Sequence, residues 1–123
     1  MINGEAADDR SGYSVSSAGD INGDGLDDLI VGAWGSQIWT GKSYVVFGKA
    51  NSSAINLSAI VDADNPTAGG FVINGEAEDN RSGFSVSSAG DVNGDGLDDL
   101  IVGAWTADPS GKSDAGKILC CVW

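Results

Sequence analysis

The chain has 123 residues, a length that suits a single domain, and 19 of them are glycine, about 15% and roughly twice the usual share, so turns are frequent. Eighteen acids against six bases give a net charge of −12, and no Lys/Arg cluster is present to follow a phosphate backbone, so no nucleic acid is expected as a partner. No apolar run approaches the roughly 18 residues of a membrane span, and Met1 leads straight into "INGEA" without a signal-peptide pattern.

In chain order, residues 1–6 read as a strand, because "INGEA" returns at the end of a longer strand, "GGFVINGEA", at 69–77. Residues 11–19, "SGYSVSSAG", alternate Tyr13, Val15 and Ser17 against small polar positions, the period of a half-buried strand. Residues 27–34, "DDLIVGAW", form a buried apolar run, and 42–48, "KSYVVFG", are β-branched and aromatic. Segment 49–69 is ambiguous: "INLSAIV" suits a short strand or a turn of helix, and "DADNPTAGG" after it is a loop by its Pro, Gly and Asx content. The strands are short and separated by Gly, Asn and Asp turns, so four of them join as an antiparallel meander.

The unit occurs twice. Residues 2–34 align with 73–105 at an offset of 71, with four differences in 33 positions: Ala7/Glu78, Asp9/Asn80, Tyr13/Phe84 and Ile21/Val92. After Trp34 and Trp105 the copies diverge, and the second carries four more residues before its Gly-Lys pair, Gly116-Lys117, which marks a surface loop. The chain then ends on a strand, "KILCCVW". The adjacent Cys120 and Cys121 match neither a disulfide framework nor a zinc pattern, and read as two small apolar residues of that strand or as an intermolecular cross-link.

Each copy places an acid-rich loop before its apolar run: "AGDINGDGLDD" and "AGDVNGDGLDD". Four aspartates in nine residues repel one another unless a cation offsets them. Asp20, Asn22 and Asp24 fall at alternate positions, Gly25 follows where a tight bend needs positive φ, and Asp28 comes four residues later. Hard oxygen donors without His or Cys favour Ca²⁺ over zinc or copper, and a flexible loop favours it over Mg²⁺. The alternative, an Asx-rich turn without metal, does not require four carboxylates. An EF-hand or a dockerin-type repeat needs an acid at loop position twelve and a helix after it, whereas Val31 and Val102 stand there in strand sequence. The loops therefore read as β-loop-β calcium sites closed by Asp28 and Asp99, with the backbone carbonyls of Leu26 and Leu97 as further donors.

The stretches "SGYSVSSAGDINGDGLDDLIVGAW" and "SGFSVSSAGDVNGDGLDDLIVGAW" resemble FG-GAP repeats, the blades of the β-propeller of integrin α subunits and of many bacterial surface proteins. They depart from the pattern where Ser14 and Ser85 stand for the Gly of "FG" and where Trp34 and Trp105 stand for the Pro of "GAP". The resemblance implies an all-β fold of two four-stranded antiparallel blades, blade 1 over 11–75 and blade 2 over 82–123 without its fourth strand. It implies two Ca²⁺ ions per chain, held by Asp20, Asn22, Asp24, Leu26 and Asp28 and by Asp91, Asn93, Asp95, Leu97 and Asp99. It also implies a structural or adhesion role at the cell surface. Propellers need roughly 4–8 blades, so two cannot close a ring. The spare strand 1–6 is expected to complete the second blade of a neighbouring copy, giving an even-bladed ring from three or four chains. The alternative is a piece of, or a design on, a longer propeller.

In a meander the first and third connections lie on one face, with the acid loops. The opposite face carries Glu5–Ser11 with Trp34–Thr40, and Glu76–Ser82 with Trp105–Lys117. There Trp34, Trp39 and Trp105, beside Asp8, Arg10, Asp79 and Arg81, either form a glycan- or protein-binding surface or pack between blades with the arginines paired to acids. Total absence of His, and of any nucleophile–base set or phosphate loop, argues against catalysis by this chain.

Overall fold

The computed structural model describes residues 1–60 and 69–121. Among them are nine strands: β1 (Ile2–Asn3), β2 (Ser14–Gly19), β3 (Asp28–Ala33), β4 (Lys42–Val46), β5 (Ile55–Asn56), β6 (Gly70–Asn74), β7 (Ser82–Gly90), β8 (Asp99–Ala104) and β9 (Lys117–Cys121). One antiparallel sheet has the order β2-β3-β4-β6 and a second has the order β7-β8-β9. The fold is all-β with two meander sheets. The register sets Val31 between Val15 and Tyr44, and Tyr44 opposite Val72, so one face of the first sheet collects these apolar side chains. Register shifts between Ser17 and Gly19, and between Ser88 and Gly90, bend each first strand just before its acid loop.

The two faces of the first sheet bury different layers. One packs Ala18, Ile21, Ile30 and Val45 against Val86, Leu100 and Val102 of the second sheet, so the core lies between the blades. The other packs Val31, Ala33, Tyr44 and Val46 under Leu57 and Ile60, with Ile2, Ile55 and Val72 at its margin. Burial on both sides explains why β3 and β4 read as nearly continuous apolar runs. Each fully buried Val, Leu or Ile contributes about 1.5–3 kcal/mol.

Three segments left open or unplaced by the sequence take definite positions. Ile2–Asn3 pairs in parallel with Ile55–Asn56 of its own chain, where a strand for another blade's edge was expected. Asn3 Nδ2 donates to Asn56 Oδ1 at 2.8 Å in that pair. "INLSAIV" holds both alternatives, a two-residue strand followed by a 3₁₀ turn at Leu57–Ala59; most of the "DADNPTAGG" loop lies outside the described residues. Cys120, read as a small apolar residue of a final strand or as a cross-link, is a free, exposed cysteine on the edge strand β9, which no further strand covers among the described residues.

The connections alternate ends as a meander requires. At the end opposite the acid loops, the turn Ser36–Trp39 carries three consecutive left-handed residues, Gln37 (φ 51°), Ile38 (φ 54°) and Trp39 (φ 62°). Such backbone costs about 1–2 kcal/mol per residue. The second blade's entry holds it in place: Asp79, Arg81 and Ser82 N–H groups donate to the Ile38, Trp39 and Thr40 carbonyls at 3.3, 2.7 and 3.0 Å.

Candidate metal centre

The first acid loop connects β2 to β3. Asp20 accepts the Asp24 N–H on Oδ1 at 3.0 Å and the Gly25 N–H on Oδ2 at 2.8 Å. Asn22 Oδ1 also accepts the Asp24 N–H at 2.9 Å, while Asn22 Nδ2 donates to Asp24 Oδ2 at 2.9 Å. Asp24 Oδ1 accepts from Leu26 N–H at 2.9 Å. Gly25 has the expected positive φ, 86°. These bonds hold the three side chains on one exposed turn.

Asp28 lies beneath them, fully buried. Its Oδ2 accepts the Ile21 N–H at 3.0 Å and its Oδ1 the Gly48 N–H at 2.8 Å, tying the loop's start to the exit of β4. Burial pushes its carboxyl above the ordinary value; the N–H donors of Gly48 and Ile21 pull it down, and the Asp24 charge adds to the upward shift. No ion pair among the described residues reaches Asp20, Asp24, Asp27 or Asp28, since both pairs present lie elsewhere. A buried carboxylate whose nearest charge is another carboxylate is costly without a cation.

The second loop repeats the pattern. Asp91 accepts from Asp95 N–H at 3.1 Å and Gly96 N–H at 2.9 Å, Asn93 donates to Asp95 Oδ2 at 2.8 Å, and buried Asp99 accepts from Val92 N–H at 2.9 Å. Asp95 Oδ1 accepts from Leu97 N–H at 2.9 Å. All ten expected positions thus lie in two equivalent turns. Among the described residues, no group of three or more His, Cys, Asp or Glu side chains is drawn around a common point; the carboxylates are spread over separate backbone donors. The donor set is entirely hard oxygen with unused lone pairs, and it fits a hard divalent cation.

Asp98, at loop position eight, carries a contact that spacing does not reveal. Its Oδ2 accepts the Asp20 N–H of the first loop at 3.2 Å, from one blade to the other. Its counterpart Asp27 is exposed.

At the opposite end the tryptophans pack together. Trp34 stacks on Trp39 with ring centroids 5.3 Å apart, Phe84 meets Trp34 edge to face at 5.4 Å, and Trp105 lies tilted against Phe84 at 5.7 Å. The arginines, which one of the two readings paired with nearby acids, lie over rings: Arg10 is 4.5 Å from Trp34 and 4.9 Å from Trp39, and Arg81 is 5.3 Å from Trp105. An electron-rich ring face attracts a guanidinium, and at Arg81 the Nε is buried there without a hydrogen-bond partner among the described residues.

A second buried polar group went unread in the sequence. Lys42 Nζ donates to Glu5 Oε2 at 2.5 Å, and the Tyr44 hydroxyl donates to the same oxygen. Burial acts to raise Glu5, but the Lys42 and Tyr44 hydrogen bonds and the Lys42 charge outweigh it and leave the carboxyl below its ordinary value. Burial and the Glu5 contact push the Tyr44 hydroxyl far upward. The signal was available: Glu76 and Lys117 repeat the pair at 2.5 Å in the second copy.

Two tandem antiparallel meanders, each with an Asp-x-Asn-Gly-Asp-Gly-x-x-Asp loop between its first two strands, define the blade unit of an integrin-like β-propeller. The FG-GAP repeat model matches residues 11–46 and 82–119, and the chain belongs to that family. It is 31% identical over 108 residues to integrin alpha-IIb of Mus musculus, covering 87% of this chain and 9% of that protein. It is 33% identical over 97 residues to integrin alpha pat-2 of Caenorhabditis briggsae (78% and 7% covered), and 33% identical over 113 residues to integrin alpha-PS2 of Drosophila melanogaster (90% and 8%). The chain spans less than a tenth of the length of these relatives. No helix among the described residues is long and apolar enough to cross a membrane.

Proposed function

We propose that the chain is a calcium-binding, adhesion-type propeller module that takes one Ca²⁺ at each acid loop and works by binding rather than catalysis. The observation that carries this is Asp28, buried beneath Asp20, Asn22 and Asp24 with no cationic side chain paired to the loop among the described residues. Ca²⁺ would be held by Asp20, Asn22, Asp24, the Leu26 carbonyl and Asp28, and by Asp91, Asn93, Asp95, the Leu97 carbonyl and Asp99. Bound there, it would supply fixed positive charge that offsets the carboxylate repulsion and rigidifies the turn. Kinship to integrin α subunits supports the adhesion role and a cell-surface location. Isothermal titration of the metal-free chain with Ca²⁺ tests it: two ions per chain is the expected stoichiometry, and no binding heat at millimolar Ca²⁺ rejects it.

The partners proposed with this role are other copies of the chain, in a ring of three or four, and a protein or glycan ligand on the aromatic end. The latter is favoured by Trp105 and Tyr13, which stay exposed within the ring cluster that Arg10 and Arg81 overlie. A glycan array probed with the calcium-loaded chain tests the ligand. Binding lost in Trp105→Ala supports it, and an array without signal rejects the glycan form.

A further inference from the structure

The contact between the two blades is built from residues that the repeat supplies twice. On the first blade the receiving surface is Ala18, Ile21, Ile30 and Val45; on the second the inserted surface is Val86, Leu100 and Val102. Polar contacts fix the alignment: Ser14 Oγ accepts the Val86 N–H at 3.0 Å, and Asp98 accepts the Asp20 N–H at 3.2 Å. Gly19 (φ 69°) permits the second contact, because a Cβ there would lie 1.9 Å from Asp98 Oδ2.

The 71-residue repeat makes each half of this contact recur on the other blade. Ile21 is 1% exposed and its counterpart Val92 55%; Val86 is 6% exposed and its counterpart Val15 64%; Leu100 is 1% exposed and its counterpart Leu29 44%. Asp27 is exposed where Asp98 is engaged, and Gly90 (φ 68°) faces open space where Gly19 faces Asp98. A receiving surface is therefore exposed at Val92 on the second blade, and on the first an inserting surface is exposed at Val15 and Leu29 around Val31, which stays covered. Two identical chains carry complementary halves of an interface already formed once within each.

We propose that a second copy of this chain docks head to tail, laying Val15, Leu29 and Asp27 of its first blade on Val92, Gly90 and the Asp91 N–H of the second blade. The contact is heterologous, so it propagates from copy to copy until the rotation closes. Leu57 and Ile60 cover the centre of the inserting face, tethered through the β1–β5 ribbon of two residue pairs. A ribbon that short is marginal by itself, and docking exchanges it for the incoming blade. The proposal shares the self-assembly part of the preceding section and is independent of its calcium part.

The test is the mass of the full chain by light scattering after size exclusion, in chelator and again in Ca²⁺, for wild type, Val15→Asp, Val92→Asp and an equimolar mixture of the two variants. Both valines are exposed in the single chain, so the charges leave its fold intact, as circular dichroism checks. The expected result is an oligomer for wild type, 12.4 kDa for either variant alone, and a 1:1 dimer of twice that mass for the mixture, because each variant retains the half that the other lost. A monomeric wild type, a variant that keeps the wild-type mass, or a mixture that stays monomeric overturns the proposal. Because the chelator arm reads assembly without metal, failure of calcium binding leaves this outcome legible by itself.

Discussion

Asp24 and Asp27 stand three residues apart in the same loop, yet the structure gives them different work. Asp24 takes part in four hydrogen bonds that shape the turn, whereas Asp27 is exposed at its edge. Asp24→Ala and Asp95→Ala are each expected to remove one calcium ion, and Asp27→Ala to remove none, read by titration of the three variants. Asp98 departs from Asp27 through its bond to Asp20. Asp98→Ala is expected to cost about 1 kcal/mol of unfolding free energy, and Asp27→Ala less than about 0.5, in urea melts of the metal-free chain. Glu5 provides a pH signature. Its folded carboxyl titrates below the ordinary value of 4.5, so its stabilisation is present above that pH and is lost as pH falls through the lowered value. Glu5→Gln leaves buried Lys42 without its counter-charge and is expected to cost about 2–4 kcal/mol near neutrality, with a flatter acid limb below pH 4.5. Parallel acid limbs in the two proteins would show that Glu5 does not contribute in this way.

Gly19 and Gly90 hold the same place in two nearly identical strand ends, but only Gly19 sits under a neighbouring blade. Gly19→Ala is expected to cost more than about 2 kcal/mol, from left-handed backbone and collision with Asp98 together. Gly90→Ala is expected to cost about 1 kcal/mol, from backbone alone. Chemical denaturation of both variants checks the difference, and equal costs would place the second blade away from Gly19. The strands themselves were legible because alternation, β-branching and Gly/Asx turns act locally, and a repeat at 71 residues states the pattern twice. The order of residues in the acid loops was legible for the same reason. What stayed hidden depends on tertiary neighbours. Gln37–Trp39 turns left-handed because the second blade's backbone donors hold it there, and nothing in "SQIW" announces that. Val15 looked like a core residue from its alternation, yet it is exposed on the first blade while Val86 is buried on the second. Ile2–Asn3 looked like an edge strand for another blade, and within this chain it lies on Ile55–Asn56 instead. The contact of Asp98 was not legible because its partner is 78 positions away.

At the scale of the molecule, two thin sheets share one core, and each sheet joins its first two strands through a loop dense in negative charge. The bond from Asp98 to Asp20 runs between these loops, so order in one bears on the other. A chain with net charge −12 carries eight of its acids there, and self-repulsion opposes the compact state wherever no cation offsets it. Ligation at both loops is expected to add roughly 2.7 kcal/mol per site when free Ca²⁺ is about 100 times its dissociation constant. For a chain of this length that corresponds to a rise in melting temperature of about 10 °C or more. Thermal unfolding of the same preparation in Ca²⁺ and in chelator measures the central claim most directly. The account predicts that melting shift, roughly halved in Asp24→Ala; superimposable melts in Ca²⁺ and chelator would contradict it.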